Sequence, residues 1–346
     1  MINTVNDADT SGGVGGGQLG DFRGADTPKR DTFNFYLDQV ELDLNKTFGE
    51  NIRARADLDF GRAASGSYHS VIEQAYVTAN IPLGNGVEFL VGRFNTPIGT
   101  ESVDRNDNTA LSYSNIFNFI RPHNTTGAKI YYAFNDNIDW HLYVVNNLFD
   151  TIAMDTTIPS FGTRIGFTWG EKGKESTFGL SYAAGPEGAA AHLVTGAAVP
   201  VSLKKHFTHI ADLDFSVHVT DAFLIAGEAI YRQDNLGGAY LGAAGLPLIG
   251  VPGNPNAKAF GGNLLLGYSF NETWNAYLRY DFLNDRQGLY TTNVHSTYHD
   301  FALGAGYQIT DGAKMKLEYR LDLQRYTGGA PKGYNNGFAA EFAYNF

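Results

Sequence analysis

Charged side chains at alternate positions are what invite a chemical reading of this 346-residue sequence. Eight are basic: Arg53, Arg55, Lys129, Arg164, Arg232, Arg279, Lys316 and Arg320. Nine are acidic: Asp57, Asp59, Asp139, Asp212, Asp214, Glu228, Asp281, Glu318 and Asp322. Their neighbours are apolar; Lys316, Glu318, Arg320 and Asp322 interleave with Met315, Leu317, Tyr319, Leu321 and Leu323. In an extended chain the two sets point to opposite sides. A cation facing hydrocarbon at a bilayer midplane costs roughly 2–4 kcal/mol, and an anion somewhat less. The charges therefore need water on their side, or partners across it. Their chemistry is electrostatic: the wall of a wet interior.

A second group lies outside the alternation. Glu101, Asp104, Arg105, Asp107, Arg121 and His123 fall within 95–124, the longest link between patterned segments. Opposed acidic and basic side chains across a narrow opening set a transverse field and an ion preference. We expect this stretch to enter the interior as a constriction; the alternative is a solvated lid above it. Thr109–Ile120 predicts a short helix with Leu111, Ile116 and Phe119 toward the wall.

Other chemistries fail on spacing. Asp104-x-Asn106-x-Asn108 copies half of a calcium loop, but Thr109 replaces its glycine and Asn115 its final glutamate, so the EF-hand reading fails and a surface calcium site is the remaining alternative. His295 and His299 would lie about 13 Å apart on one strand face, too far for one metal. Ser112, Ser114 and His123 share a loop without the spacing of a base and its orienter. Gly12–Gly17 precedes no strand–helix unit, so it is no phosphate loop. We expect no catalytic residues, no metal and no cofactor. Zero cysteines rule out a disulfide framework, and a net charge of −11 disfavours nucleic acid as a partner.

The elements that must carry these charges are strands. Period-two alternation runs from Phe33 to Phe346 in segments of about ten residues, the length of a tilted membrane-crossing strand. Short links fall at 48–51, 84–86, 135–137, 171–176, 220–221, 271–273 and 310–312. Long ones fall at 61–70, 95–124, 149–160, 186–207, 233–258, 284–296 and 326–336. Short periplasmic turns opposite long external loops are the rhythm of an outer-membrane barrel. The expected fold is an all-β, antiparallel transmembrane barrel spanning 1–346 as one domain. Sixteen strands are expected, with fourteen as the fallback. Residues 1–31 supply a short first strand and an external loop. No window is apolar enough for a membrane helix. The residues from Met1 onward lack the charged and apolar regions of a secretory leader. Trp140, Trp169, Trp274, Tyr344 and Phe346 are candidates for an aromatic girdle at the headgroup level. Ala189–Val201 and Leu241–Val251 are apolar loops whose cover the sequence does not identify.

Several segments together resemble the OmpL-like β-barrel porins of bacterial outer membranes. They are FYLDQVELDL at 35–44, RARADLDFG at 53–61, EQAYVTANIPLGNGVEFLVGRFNTPIGTE at 73–101, SNIFNFIRPHNTTGAKIYYAFND at 114–136 and VVNNLFD at 144–150. The resemblance is specific over 35–150 and rhythmic thereafter. Phe346 also resembles the terminal aromatic of such barrels. The resemblance implies passive diffusion of small hydrophilic solutes and ions, no enzyme activity, outer-membrane lipid and lipopolysaccharide as surroundings, and a homotrimer. The near-balanced wall implies weak charge selectivity. The alternatives are a channel selective for sugars, carboxylates or peptides, using inward Tyr36, Tyr76, Tyr131, Tyr143 and Tyr277, or a closed structural barrel.

Overall fold

A computed structural model describes residues 2–8, 32–35, 38–60, 71–149, 158–187, 207–235, 256–286, 295–326 and 333–345. The segments at 12–17, 189–201 and 241–251, together with Tyr36 and Phe346, lie outside them.

The described chain is one antiparallel sheet. Its strands are β1 (Ile2–Ala8), β2 (Thr32–Phe35), β3 (Glu41–Phe48), β4 (Ile52–Asp59), β5 (Ile72–Ile81), β6 (Val87–Asn95), β7 (Asn124–Asn135), β8 (Ile138–Val145) and β9 (Ser160–Trp169). They continue as β10 (Ser176–Pro186), β11 (Phe207–His218), β12 (Phe223–Asn235), β13 (Asn256–Ser269), β14 (Trp274–Asp285), β15 (Ser296–Thr310), β16 (Ala313–Tyr326) and β17 (Gly333–Tyr344). β2 pairs with β1 and β3 pairs with β4, so β2 and β3 are counted as two parts of one stave. Counted that way, the seventeen segments make sixteen staves. Each of the seven short links expected from the sequence joins a hairpin of this sheet.

β1 brings the ends of the sheet together. Ile2–Ala8 pairs with Ala340–Tyr334 of β17, and Ile2–Val5 pairs with Phe35–Thr32 of β2. Ile2 lies opposite Ala340 and Phe35, about half-way down the wall. Below that level, among the described residues, β3 pairs only with β4, and the end of β17 only with β16.

Alternation sets the two faces. Leu42, Leu44, Val77, Val91, Ile165, Leu180, Leu264, Leu278, Leu303 and Tyr319 are exposed on the outside. Arg279, Asp281, Glu318 and Arg320 are buried on the inside. The alternation holds throughout, but in one region the inward side is apolar instead of charged. Tyr143, Ile210, Ile230, Ala257, Ala259, Leu283 and Tyr298 face inward and form an apolar cluster with Leu90, Phe94, Ile98, Ile116, Ile120 and Leu148. These inward residues are apolar because a loop, rather than water, covers them.

Gly92 sits in β6 at φ +142°, a conformation that L side chains rarely adopt. A Cβ there would meet the main-chain oxygen of Ala75 and lie 2.6 Å from Tyr76 Cα across the β5–β6 pair. Gly92→Ala is therefore expected to lose on the order of 1–3 kcal/mol from backbone strain, with further loss from the clash. A smaller fraction of heat-modifiable, folded protein on semi-native gels checks this.

Candidate functional site: the 96–123 loop and the inner wall

The loop between β6 and β7 is fastened at its base. Thr96 donates through its main-chain N–H to the His123 carbonyl (2.6 Å) and through Oγ1 to the Pro122 carbonyl (2.6 Å). Asn95 Nδ2 donates to Glu73 Oε1 (2.9 Å), and Asn95 accepts from Asn124. The Gly92–Pro97 and His123–Gly127 segments of the sequence are this clasp.

From the clasp the loop reaches the far wall. Thr100 N–H donates to Glu228 of β12 (3.1 Å), and Arg121 lies 3.5 Å from the same carboxylate on the return path. Arg105 pairs with Asp38 beside β3 (2.9 Å). Lys316 of β16 donates to the carbonyls of Arg105 (3.1 Å) and Asn108 (2.5 Å). Lys314 donates to Asn106, whose own amide donates to Asn345 (2.7 Å).

The middle of the loop is held by three wall charges. Glu318 accepts from Leu111 N–H (3.1 Å), Ser112 N–H (3.3 Å), Ser112 Oγ (2.5 Å) and Tyr277 Oη (2.6 Å). Arg279 donates to the carbonyls of Ser112 and Tyr113, and Arg320 donates to Tyr113 O (2.8 Å). These bonds explain why the helix is shorter than the 109–120 expectation. Residues 111–113 give their backbone groups to the wall and cannot close helical turns. The helix α1 is only Asn115–Phe119, capped by Ser114 Oγ, which accepts from Phe117 N–H (3.3 Å). Ile116 lies over Gly261 of β13, where a Cβ would come within 2.6 Å of its Cγ2. Leu111 and Ile116 are buried as expected, and Phe119 stacks on Tyr298 at 6.0 Å.

Most of the wall charges are paired. Arg320 bridges Asp300 (2.6 Å) and Asp322 (2.6 Å) with both partners buried. Arg279 pairs with Asp281 (3.1 Å) and lies 3.4 Å from Glu101. Arg164 forks onto Asp214 (2.7 Å for the Nη2–Oδ1 arm). Arg232 pairs with Asp234 (2.9 Å) and covers the Phe149 ring at 3.7 Å. Lys129 lies over Phe94 at 5.1 Å, and Asp139 faces His141 at 3.4 Å. Asp212 is buried with no hydrogen-bond partner among the described residues. Arg55 holds Asp57 (2.7 Å), while Arg53 reaches Glu88 (3.5 Å) and stays exposed. Asp59 is half-buried at the upper end of β4, and Asp107 is exposed.

His123 is hydrogen-bonded to the Phe117 carbonyl (2.7 Å) and stacked on the Phe117 ring. Burial, then the like charge of Arg121, pushes its imidazole down to about 4. It adds no charge at neutral pH, and its Nε2 donates.

Trp169, Trp274 and Tyr344 are exposed beside short turns. Trp140 is half-buried, with Nε1 donating to Thr163 Oγ1 (2.8 Å). Sequence reasoning missed Asp38, Glu41, Glu73, Asp234 and Asp300. Asp300 was within reach, because it keeps inward parity with Tyr298 and Ala302 on β15.

A family model described as "Putative beta-barrel porin-2, OmpL-like" matches residues 11–346. The chain belongs to this family. It is an outer-membrane porin, a channel for passive diffusion across the bacterial outer membrane. The fold agrees with solved structures. The outer membrane channel DcaP of Acinetobacter baumannii is similar at TM-score 0.63 and 13% identity, over 100% of this chain and 94% of that one. The anion-selective porin from Comamonas acidovorans is similar at 0.59 and 11%, over 100% and 99%. OmpT of Vibrio cholerae in its trimer form is similar at 0.55 and 9%, over 99% and 96%. No curated protein matches the porin in sequence. Family and fold point to a channel rather than an enzyme.

Proposed function

We propose that the 96–123 loop is the constriction of this porin and that solutes pass between it and the remaining inner wall. One observation carries the reading. The loop leaves β6, bonds Glu228 on β12 and Lys316, Glu318 and Arg320 on β16, and returns to β7. A surface lid would make none of these contacts with inward-facing strand residues. The charges open to water are then Arg53, Arg55, Asp43 and Glu88 on β3 to β6, with side-chain exposures of 59%, 33%, 49% and 29%. Two of each sign give a weakly selective passage for small hydrophilic solutes and ions. Asp139 and Arg164 line a recess of about 300 Å³ below Thr100 and belong to the same wall. Glu228, Lys316 and Glu318 hold the loop, Arg279 and Arg320 hold both the loop and their carboxylates, and Arg232 pairs with Asp234. The exposed Trp169, Trp274 and Tyr344, with Trp140, meet outer-membrane lipid and lipopolysaccharide near the periplasmic boundary. The chain forms one barrel domain and assembles as a homotrimer, a reading supported by the trimer form of OmpT.

Current through single molecules in a planar bilayer tests this. Ohmic steps are expected, with a reversal potential in a salt gradient close to zero. Absence of steps from folded, heat-modifiable protein would instead indicate a closed structural barrel. A large shift in reversal potential would point to a selective channel. Native mass in detergent, with the trimer expected, checks the assembly.

A further inference from the structure

Where the tip of the loop passes β3 and β5, three carboxylates meet. Glu41 of β3, Glu73 of β5 and Asp104 of the loop each place an oxygen within 4.8 Å of the others. Three like charges this close repel strongly unless a proton is taken up or a cation lies between them. We propose that Glu41, Glu73 and Asp104 bind a divalent cation of the calcium class, which ties the tip of the loop to the wall.

Glu73 points to a ligand independently of the clustering. It is 7% exposed, Oε1 accepts from Asn95, and Oε2 is buried with no hydrogen-bond partner among the described residues. A buried, unsatisfied carboxylate oxygen is costly. A hard cation, which takes oxygen ligands, removes that cost. Two oxygens on opposite sides of a calcium ion stand about 4.8 Å apart, twice a Ca–O distance of roughly 2.4 Å, so the trio has the right span. Gln39 stands beside it, with its side-chain amide 3.2 Å from Glu41 Oε2 and 3.4 Å from Asp104 Oδ1. Amide orientation is interchangeable in such a contact, so the Gln39 carbonyl is available as a neutral fourth ligand.

Charge fits as well. Arg93 donates through Nε to the Glu73 main-chain oxygen (2.9 Å), which sets one positive charge beside three negative ones. A doubly charged ion brings the group to neutrality. The neighbouring trio of Glu41, Asp43 and Asp57 is a poorer site. Arg55 (2.7 and 2.9 Å) and Gln74 (2.6 Å) already take the Asp57 carboxylate. Arg105, next to Asp104, is engaged with Asp38. The tip is anchored on the other side through Asn345 and the β16 lysines, and on the β3 side through Arg105 and Asp38. The ion adds a second anchor on the β3–β5 side, one that reaches β5.

Calcium uptake by the refolded, chelator-stripped chain tests the proposal, in a detergent without phosphate and free of lipopolysaccharide. One ion per chain is expected, with a dissociation constant on the order of 10⁻⁴–10⁻³ M. Glu73→Gln and Asp104→Asn are each expected to weaken uptake about tenfold or more, while Asp136→Asn on the β7–β8 turn leaves it unchanged. Gel mobility before and after heating selects folded protein for each variant. Wild type supplies a second readout that needs no variant: calcium protects the 104–110 segment from protease, and a chelator exposes it. No saturable uptake by folded wild type, or undiminished uptake by both variants, overturns the site. So does cleavage that ignores calcium. Uptake is read without any current, so its failure is separable from failure of the constriction reading.

Discussion

Arg320→Met is expected to destabilise the barrel by about 3–5 kcal/mol, the range for removing one partner of a buried ion pair. Arg320 is fully buried and holds two carboxylates, Asp300 and Asp322, through separate nitrogens. A third nitrogen donates to the carbonyl of Tyr113. Methionine fills much of the volume but leaves two buried carboxylates facing each other. Asp300 keeps one donor, the amide of Asn115. Denaturant titration in detergent micelles, followed by tryptophan fluorescence, measures the loss. Arg320→Met combined with Asp300→Asn and Asp322→Asn is expected to recover much of it, since the charges are then removed together. If the single change costs under about 1 kcal/mol, water reaches these carboxylates and the loop does not seal them.

How much of this was legible in the sequence depended on whether local spacing or loop path decided the outcome. The Met315–Gln324 alternation was legible because the pleat is local. Lys316, Glu318, Arg320 and Asp322 do share one face, and Met315, Leu317, Tyr319 and Leu321 the other. The hairpin turns were legible for the same reason. The segments that form the clasp stood out only as part of the family resemblance, and the bonds between Thr96 and His123 did not show in their spacing. The apolar patch inside the barrel was not legible. Ile210, Ile230 and Leu283 share parity with the inward Asp212, Glu228 and Asp281, but only the path of the 96–123 loop over them makes an apolar side chain favourable there. Strand parity gives two sides but does not say which parts of the inner side are covered. The helix was overextended because apolar spacing at 109–120 carries no record of Glu318, Arg279 and Arg320 competing for the backbone of 111–113. The Glu41–Glu73–Asp104 group was illegible for a related reason. Glu41 and Glu73 lie on strands separated by β4, and Asp104 comes from a loop whose path has no local signature.

Glu318→Ala is expected to free the middle of the loop while the barrel stays folded. Glu318 accepts four hydrogen bonds, three of them from Leu111 and Ser112. Hydrogen bonds to charged groups contribute roughly 1.5–3 kcal/mol each, and such values do not add fully. A loss of about 3 kcal/mol in docking free energy raises the undocked population on the order of a hundredfold. Arg279 and Arg320 keep their own carboxylate partners, so the effect stays with the loop. The clasp at Thr96 and His123 and the contacts at Glu228 do not involve Glu318, so the loop should swing rather than unfold. Current recordings are expected to show larger mean conductance with frequent flicker between levels. Protease should cut within 105–115 in the variant and spare wild type. Tyr277→Phe, which keeps the ring and removes one bond to Glu318 and one from Leu111 N–H, is expected to change the current less. A steady, wild-type trace from folded Glu318→Ala would mean that the loop stays docked without this carboxylate, or that the solute path does not pass it. Protease separates the two: protection means the loop stays docked, and cutting means the path lies elsewhere.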